Sequence, residues 1–160
     1  MISYTKKEIS RLQDNLQLIR LAGGWSLSEF GDLLGVSKQT VSNLETKGKS
    51  RMSKLQYIGI RVILEYEVHN SPDNELLAYV VNLVFSDKDP TKEELDRVRS
   101  AVALKKGAES TGMDYSAIAS SIGMIAGFVM TDIMADLLID ESVYNSTFKW
   151  LEKLMQPKNK

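Results

Sequence analysis

Between Trp25 and Arg51 the chain reads WSLSEFGDLLGVSKQTVSNLETKGKSR, and this run holds two helix starts with a very short turn between them. Ser26 and Glu29 have capping-box spacing: the serine hydroxyl takes the third backbone N–H, and the glutamate returns to the serine's own N–H. Trp25 and Phe30 stand where a hydrophobic staple closes over that cap. Val36, Ser37 and Val41 repeat the staple and N-cap at the start of a second helix. Only Gly35, Val36 and Ser37 separate the two helices, so they must cross steeply. The facing residue must then be small and the turn must tolerate positive φ, needs that Gly31 and Gly35 meet.

Phe30, Leu34, Val36, Val41 and Leu44 supply a shared core for this pair. Lys38, Gln39, Thr40, Ser42 and Asn43 are left for other directions, and Lys38, Gln39, Ser42 and Asn43 form one exposed surface near the start of the second helix. Charge is distributed to match. The whole chain of 160 residues has a net charge of −1, but residues 1–70 carry ten Lys/Arg against seven Asp/Glu, net +3, and residues 71–160 carry ten against fourteen, net −4. Within 38–54, Lys38, Lys47, Lys49, Arg51 and Lys54 face only Glu45. A local positive patch of this kind suits a polyanion, with no need for a basic protein overall.

These residues resemble the helix-turn-helix of the Cro/C1-type (XRE-like) phage-repressor family, over roughly residues 4–70. The resemblance implies a lambda-repressor-like, all-helical DNA-binding domain over 1–70; residues 71–160 resemble no known family, and their helical pattern is expected to form a dimerisation or regulatory domain, making the whole chain all-α. In that family the N-cap, first, second and sixth positions of the recognition helix touch phosphates and base edges. Carried over to a recognition helix at 38–46, base contacts fall to Lys38, Gln39, Ser42 and Asn43, and phosphate contacts to Ser37, Thr40, Lys47, Lys49 and Arg51. The chemistry agrees, because Gln and Asn make bidentate hydrogen bonds to adenine and Lys reaches the acceptors of guanine. Flexible cations in a glycine-containing loop suit the phosphate backbone. Two residues depart from the family pattern: Leu27 stands where a polar phosphate-binding residue is usual, and Gly31 replaces an alanine.

The flanking segments read as helices. Thr5 and Glu8 form a capping box ahead of Ile9, Leu12, Leu16 and Ile19, one apolar stripe on one helix that stops at Gly23 and Gly24. From Ser53 a linking helix runs to His69, with Leu55, Ile58, Val62 and Tyr66 on one face and Tyr57, Ile60, Ile63 and Leu64 on another. A helix apolar on two sides is expected to be buried on two sides. Asn70, Ser71 and Pro72 mark a boundary, with Ser71 as the next N-cap and Pro72 in the first helical position. Leu76, Leu77, Val80, Val81 and Val84 follow, then a charged turn over 85–90. A further helix opens at a capping box, Thr91 with Glu94, and is expected to end at Gly107.

Residues 115–131 carry no charge and hold Gly123 and Gly127 in a GxxxG spacing. Their shortness and serine content favour close helix packing over membrane insertion. Asp132, Asp136 and Asp140 read as a solvated acidic face and not a metal site, since no histidine is near to join them. Met113, Met124, Met130, Met134 and Met155 read as core filling, and Phe148, Trp150, Leu151 and Leu154 as a last short helix.

No Ser/His/Asp or Cys/His set and no phosphate-cradling glycine loop after a strand is present, so an enzyme, a cofactor and a metal are not expected. The absence of cysteine and of a signal-peptide core points to the cytoplasm. The expected partners are double-stranded DNA and a second copy of the chain, with residues 71–160 available to a protein target or small ligand. The alternative is a phage- or mobile-element-encoded inhibitor or antitoxin, whose second half captures a protein and whose helix-turn-helix only regulates its own gene.

Overall fold

The computed structural model describes residues 6–86 and 88–112, and every regular element there is a helix. In order these are α1 (Lys6–Asp14), α2 (Leu16–Gly23), α3 (Leu27–Leu34), α4 (Lys38–Glu45), α5 (Lys54–Asn70), α6 (Glu75–Phe85) and α7 (Lys92–Ser110). The expectations for Thr5, for 115–131, for the aspartate triplet, for the five methionines and for the last short helix lie outside the described residues. Among the described residues no helix is long and apolar enough to cross a membrane.

The single first helix of the sequence reading is in fact two. At Asn15 the side-chain Nδ2 donates to the Arg11 carbonyl at 2.9 Å, the acceptor that its own backbone N–H would have used. That N–H turns to the Leu12 carbonyl at 3.2 Å, and the ladder resumes when Ile19 N donates to Asn15 O at 3.0 Å. The Asn15 side chain thus takes the carbonyl that its own backbone N–H has given up, and the run breaks there. The apolar stripe survives the break, with Leu12, Leu16 and Ile19 all fully buried.

The core is one cluster of buried residues extending from Leu12 in α1 to Ala108 in α7. At its centre lies α6, which is apolar nearly all round and packs against α1, α2, α5 and α7. Tyr57, Ile60 and Leu64 face this core from α5. As a helix apolar on two faces should, α5 packs both on α1 and α3 of the first half and on α6 of the second half, while the face with Leu55, Ile58, Val62 and Tyr66 is the more open one, Leu55 being 80% exposed and the other three half-buried.

Two boundaries also differ from the sequence reading. The N-cap of α6 is Asn74, not Ser71: its Oδ1 accepts from Leu77 N at 3.1 Å while its Nδ2 donates to the Ala22 carbonyl at 3.1 Å. Residues 71–74 form a turn closed by Asn74 N onto Ser71 O at 3.0 Å. Helix α7 passes through Gly107 and ends at Ser110, and the left-handed glycine beyond it is Gly112, φ 72°.

Among the described residues, polar side chains reinforce this packing of the second half on the first near both ends of α6. Lys105 of α7, 8% exposed, donates from Nζ to the same Ala22 carbonyl at 3.0 Å. Burial pushes its ammonium below the ordinary lysine pKa, and the charge of Glu109 works against that shift. At the other end of α6, Arg11 of α1 donates from Nε to Asp89 Oδ1 at 2.9 Å and from Nη1 to Ser86 O.

Candidate nucleic-acid interface

The local geometry of the α3–α4 pair follows from its caps and glycines. Ser26 Oγ accepts from Glu29 N at 3.1 Å and Ser26 N donates to Glu29 Oε2 at 2.7 Å, completing the capping box. The backbone N–H of Ser26, then its hydroxyl, hold the Glu29 carboxyl below its ordinary pKa. Trp25 and Phe30 stack with centroids 5.4 Å apart and planes 10° from parallel. Gly35 has φ 70°, and Val36 N donates to Gly31 O at 2.9 Å. A Cβ added at Gly31 would stand 2.7 Å from Val36 O and 3.2 Å from Lys38 N. The small residue demanded by the short turn is thus the one present.

Ser37 caps α4, its Oγ accepting from Thr40 N at 3.1 Å and lying 3.0 Å from Thr40 Oγ1. Val41 and Leu44 bury one face of α4 in the core. The opposite face carries Lys38 and Gln39, both exposed, and Ser42 and Asn43, both half-exposed. Gln39 and Asn43, one turn apart, are joined by a hydrogen bond from Gln39 Nε2 to Asn43 Oδ1 at 3.0 Å. Thr40 is half-buried with its hydroxyl turned toward Ser37, closer to the helix start than to the polar face.

After α4 the chain turns through Gly48, φ 81°, and exposes Lys47, Lys49 and Arg51 in succession. The structure therefore brings the four candidate base readers onto one face of α4 and sets the three loop cations just beyond its C-terminal end. Leu27 opens α3 half-buried against the core, so its side chain packs where the family pattern would have a polar anchor.

Three positioning residues went unread in the sequence: Arg20, Glu45 and Gln13. Arg20 of α2 forks onto Glu45, the last residue of α4, with Nε to Oε1 at 2.6 Å and Nη2 to Oε2 at 3.1 Å, and its Nη1 donates to Trp25 O at 2.9 Å. Gln13 of α1 clamps the cationic loop, donating from Nε2 to Leu44 O at 3.0 Å and Ser50 O at 2.6 Å, and accepting at Oε1 from Met52 N at 2.8 Å. A signal for Arg20 was available, since a charged residue four after Leu16 falls on the apolar stripe and demands a buried partner. Gln13 gave none, because a glutamine on a polar helix face is ordinary.

The assembled surface offers amide donors and acceptors on a rigid helix, flanked by mobile-stemmed cations, the combination that reads base edges and grips phosphates. Comparison with known families agrees: residues 16–55 match the family described as Helix-turn-helix. No curated protein and no solved structure matches the chain. Residues 16–55 are a helix-turn-helix of the Cro/C1 (XRE) type, the DNA-binding module of transcription regulators.

Proposed function

We propose that this chain, with its helix-turn-helix at residues 16–55, is a sequence-specific repressor that binds a near-palindromic operator as a homodimer, α4 lying in the major groove. Lys38, Gln39, Ser42 and Asn43 face the base edges. Ser37, Thr40, Lys47, Lys49 and Arg51 hold the phosphates. The observation that carries this reading is the polar face of α4, set opposite the buried Val41 and Leu44 and followed at once by the Lys47–Arg51 cations. A dimer places its recognition helices one DNA turn, about 34 Å, apart, and so reads two half-sites in inverted order. Residues 71–160 supply the dimerisation and regulatory part.

The test is selection of bound sequences from random DNA by the full chain at moderate salt. The expected product is an inverted repeat with half-sites one turn apart. Lys49→Ala should then weaken binding to selected and random DNA to the same degree, because phosphate contacts carry no sequence information. Enrichment of no sequence would overturn the reading.

A further inference from the structure

The Gln39–Asn43 hydrogen bond gives the polar face of α4 a property that the two residues lack singly. We propose that they form one composite reader of a single adenine, in which Gln39 makes the base contact and Asn43 is a positioning residue that fixes which hand Gln39 offers. The proposal rests on the reading of α4 as a major-groove helix and adds to it the base and the division of labour.

A glutamine amide has one acceptor oxygen and two N–H donors. In the structure Gln39 Nε2 already gives one N–H to Asn43 Oδ1, at 3.0 Å. What remains for a base is the Oε1 acceptor and a single N–H. The major-groove edge of adenine presents one N–H donor at N6 and one acceptor at N7, a one-for-one match. Guanine presents two acceptors, N7 and O6, and a glutamine committed to Asn43 has only one donor left for them. Its oxygen would then face the guanine O6, acceptor against acceptor.

An unsupported glutamine would be a weaker discriminator. Its amide can turn over, and its rotamers must be frozen when it docks. Asn43 removes that freedom before DNA arrives, and α4 itself does not yield, being held by the Ser37 cap at its start and by Arg20 on Glu45 at its end. The i to i+4 spacing keeps both side chains over the same turn of helix. The pair can reverse its hand only if both amides turn together, with Asn43 donating. Aspartate at position 43 can only accept, so it forbids that reversal.

The experiment uses the full chain and the sequence it selects, with binding measured at fixed salt on that site and on sites carrying single A·T to G·C changes. Wild type should lose about tenfold to a hundredfold in affinity at one adenine of each half-site. Gln39→Ala and Asn43→Ala should each flatten discrimination at that same base pair, and the double variant should be no flatter than either single. Asn43→Asp should keep the adenine preference while binding every DNA more weakly, since a carboxylate is placed near phosphates. Thermal melts of the variants should match wild type, because neither side chain lies in the core.

The composite reader is overturned if the two alanine variants relax different base pairs with additive losses. It is overturned equally if Asn43→Asp loses the preference as Asn43→Ala does, or if the wild-type half-site shows no adenine preference. Those results leave the regulator reading standing. Selection of no sequence at all overturns both.

Discussion

Arg20 and Glu45 make a two-point ion pair across the helix-turn-helix, with side chains only 10% and 6% exposed. Their atoms join α2 to the last residue of α4, 25 positions later, so the reading helix is anchored by a residue outside the α3–α4 pair. Removing one partner strands a buried charge. Arg20→Ala or Glu45→Ala should each cost about 3–5 kcal/mol of folding stability, whereas Arg20→Met with Glu45→Leu should recover most of that loss. Urea unfolding of the three variants checks this, and equal stability of single and double variants would contradict it.

Glycines at positions 31 and 59 should respond in opposite directions to the same change. A methyl at Gly31 meets the Val36 carbonyl at 2.7 Å, and that oxygen belongs to the turn backbone, which cannot give way cheaply. Gly31→Ala should destabilise by about 1–3 kcal/mol, the usual cost of overpacking. A methyl at Gly59, inside α5, meets nothing within 4 Å. Gly59→Ala should gain about 0.5–1 kcal/mol from helix propensity alone. Thermal or denaturant midpoints read both.

Gln13 supports the cationic loop with three hydrogen bonds, to Leu44 O, Ser50 O and Met52 N. Gln13→Ala should leave the salt dependence of DNA binding unchanged in slope while lowering affinity, since the cations remain but lose their preset positions. Removing Lys47, Lys49 or Arg51 should instead reduce the magnitude of the slope, by about 0.9 for each phosphate left without its cation. A titration from low to high salt distinguishes the two behaviours. Fast amide exchange over 47–52 in the Gln13 variant would show the released loop directly.

Two carboxylates make stability depend on pH with opposite signs. Asp89 is held below its ordinary 3.8 by hydrogen bonds from Lys7 and, after a smaller opposing desolvation, from Arg11. Its contribution is therefore present above 3.8 and is lost as the pH falls toward the lowered value. Glu67 is raised above its ordinary 4.5 by burial. Its cost is absent below 4.5 and grows as the pH rises through the raised value. Asp89→Asn should be less stable than wild type at neutral pH and converge with it in acid. Glu67→Gln should be more stable at neutral pH and likewise converge in acid. Unfolding midpoints measured from pH 3 to 7 check both signs.

Helix starts that depend on near neighbours were legible before any coordinates. Ser26 with Glu29, Ser53 ahead of α5 and Thr91 with Glu94 each cap within one turn, and all three hold in the structure. The start of α6 was not legible, because Asn74 is selected over Ser71 partly by the Ala22 carbonyl, 52 residues away. The break at Asn15 and the supports from Gln13 and Arg20 belong to the same class, since side-chain partners chosen by the fold leave little trace in periodicity. Within the site, the polar face of α4 followed directly from the positions of Val41 and Leu44. The link between Gln39 and Asn43 was allowed by their spacing but needed side-chain conformations to become visible.

The carbonyl of Ala22 takes the amide of Asn74 at 3.1 Å and the ammonium of Lys105 at 3.0 Å, two residues past the arginine that grips Glu45. One turn of α2 is thus a common anchor: α6 and α7 are pinned to its backbone and α4 to its side chain, so the reading helix and the second half take their positions from the same few atoms.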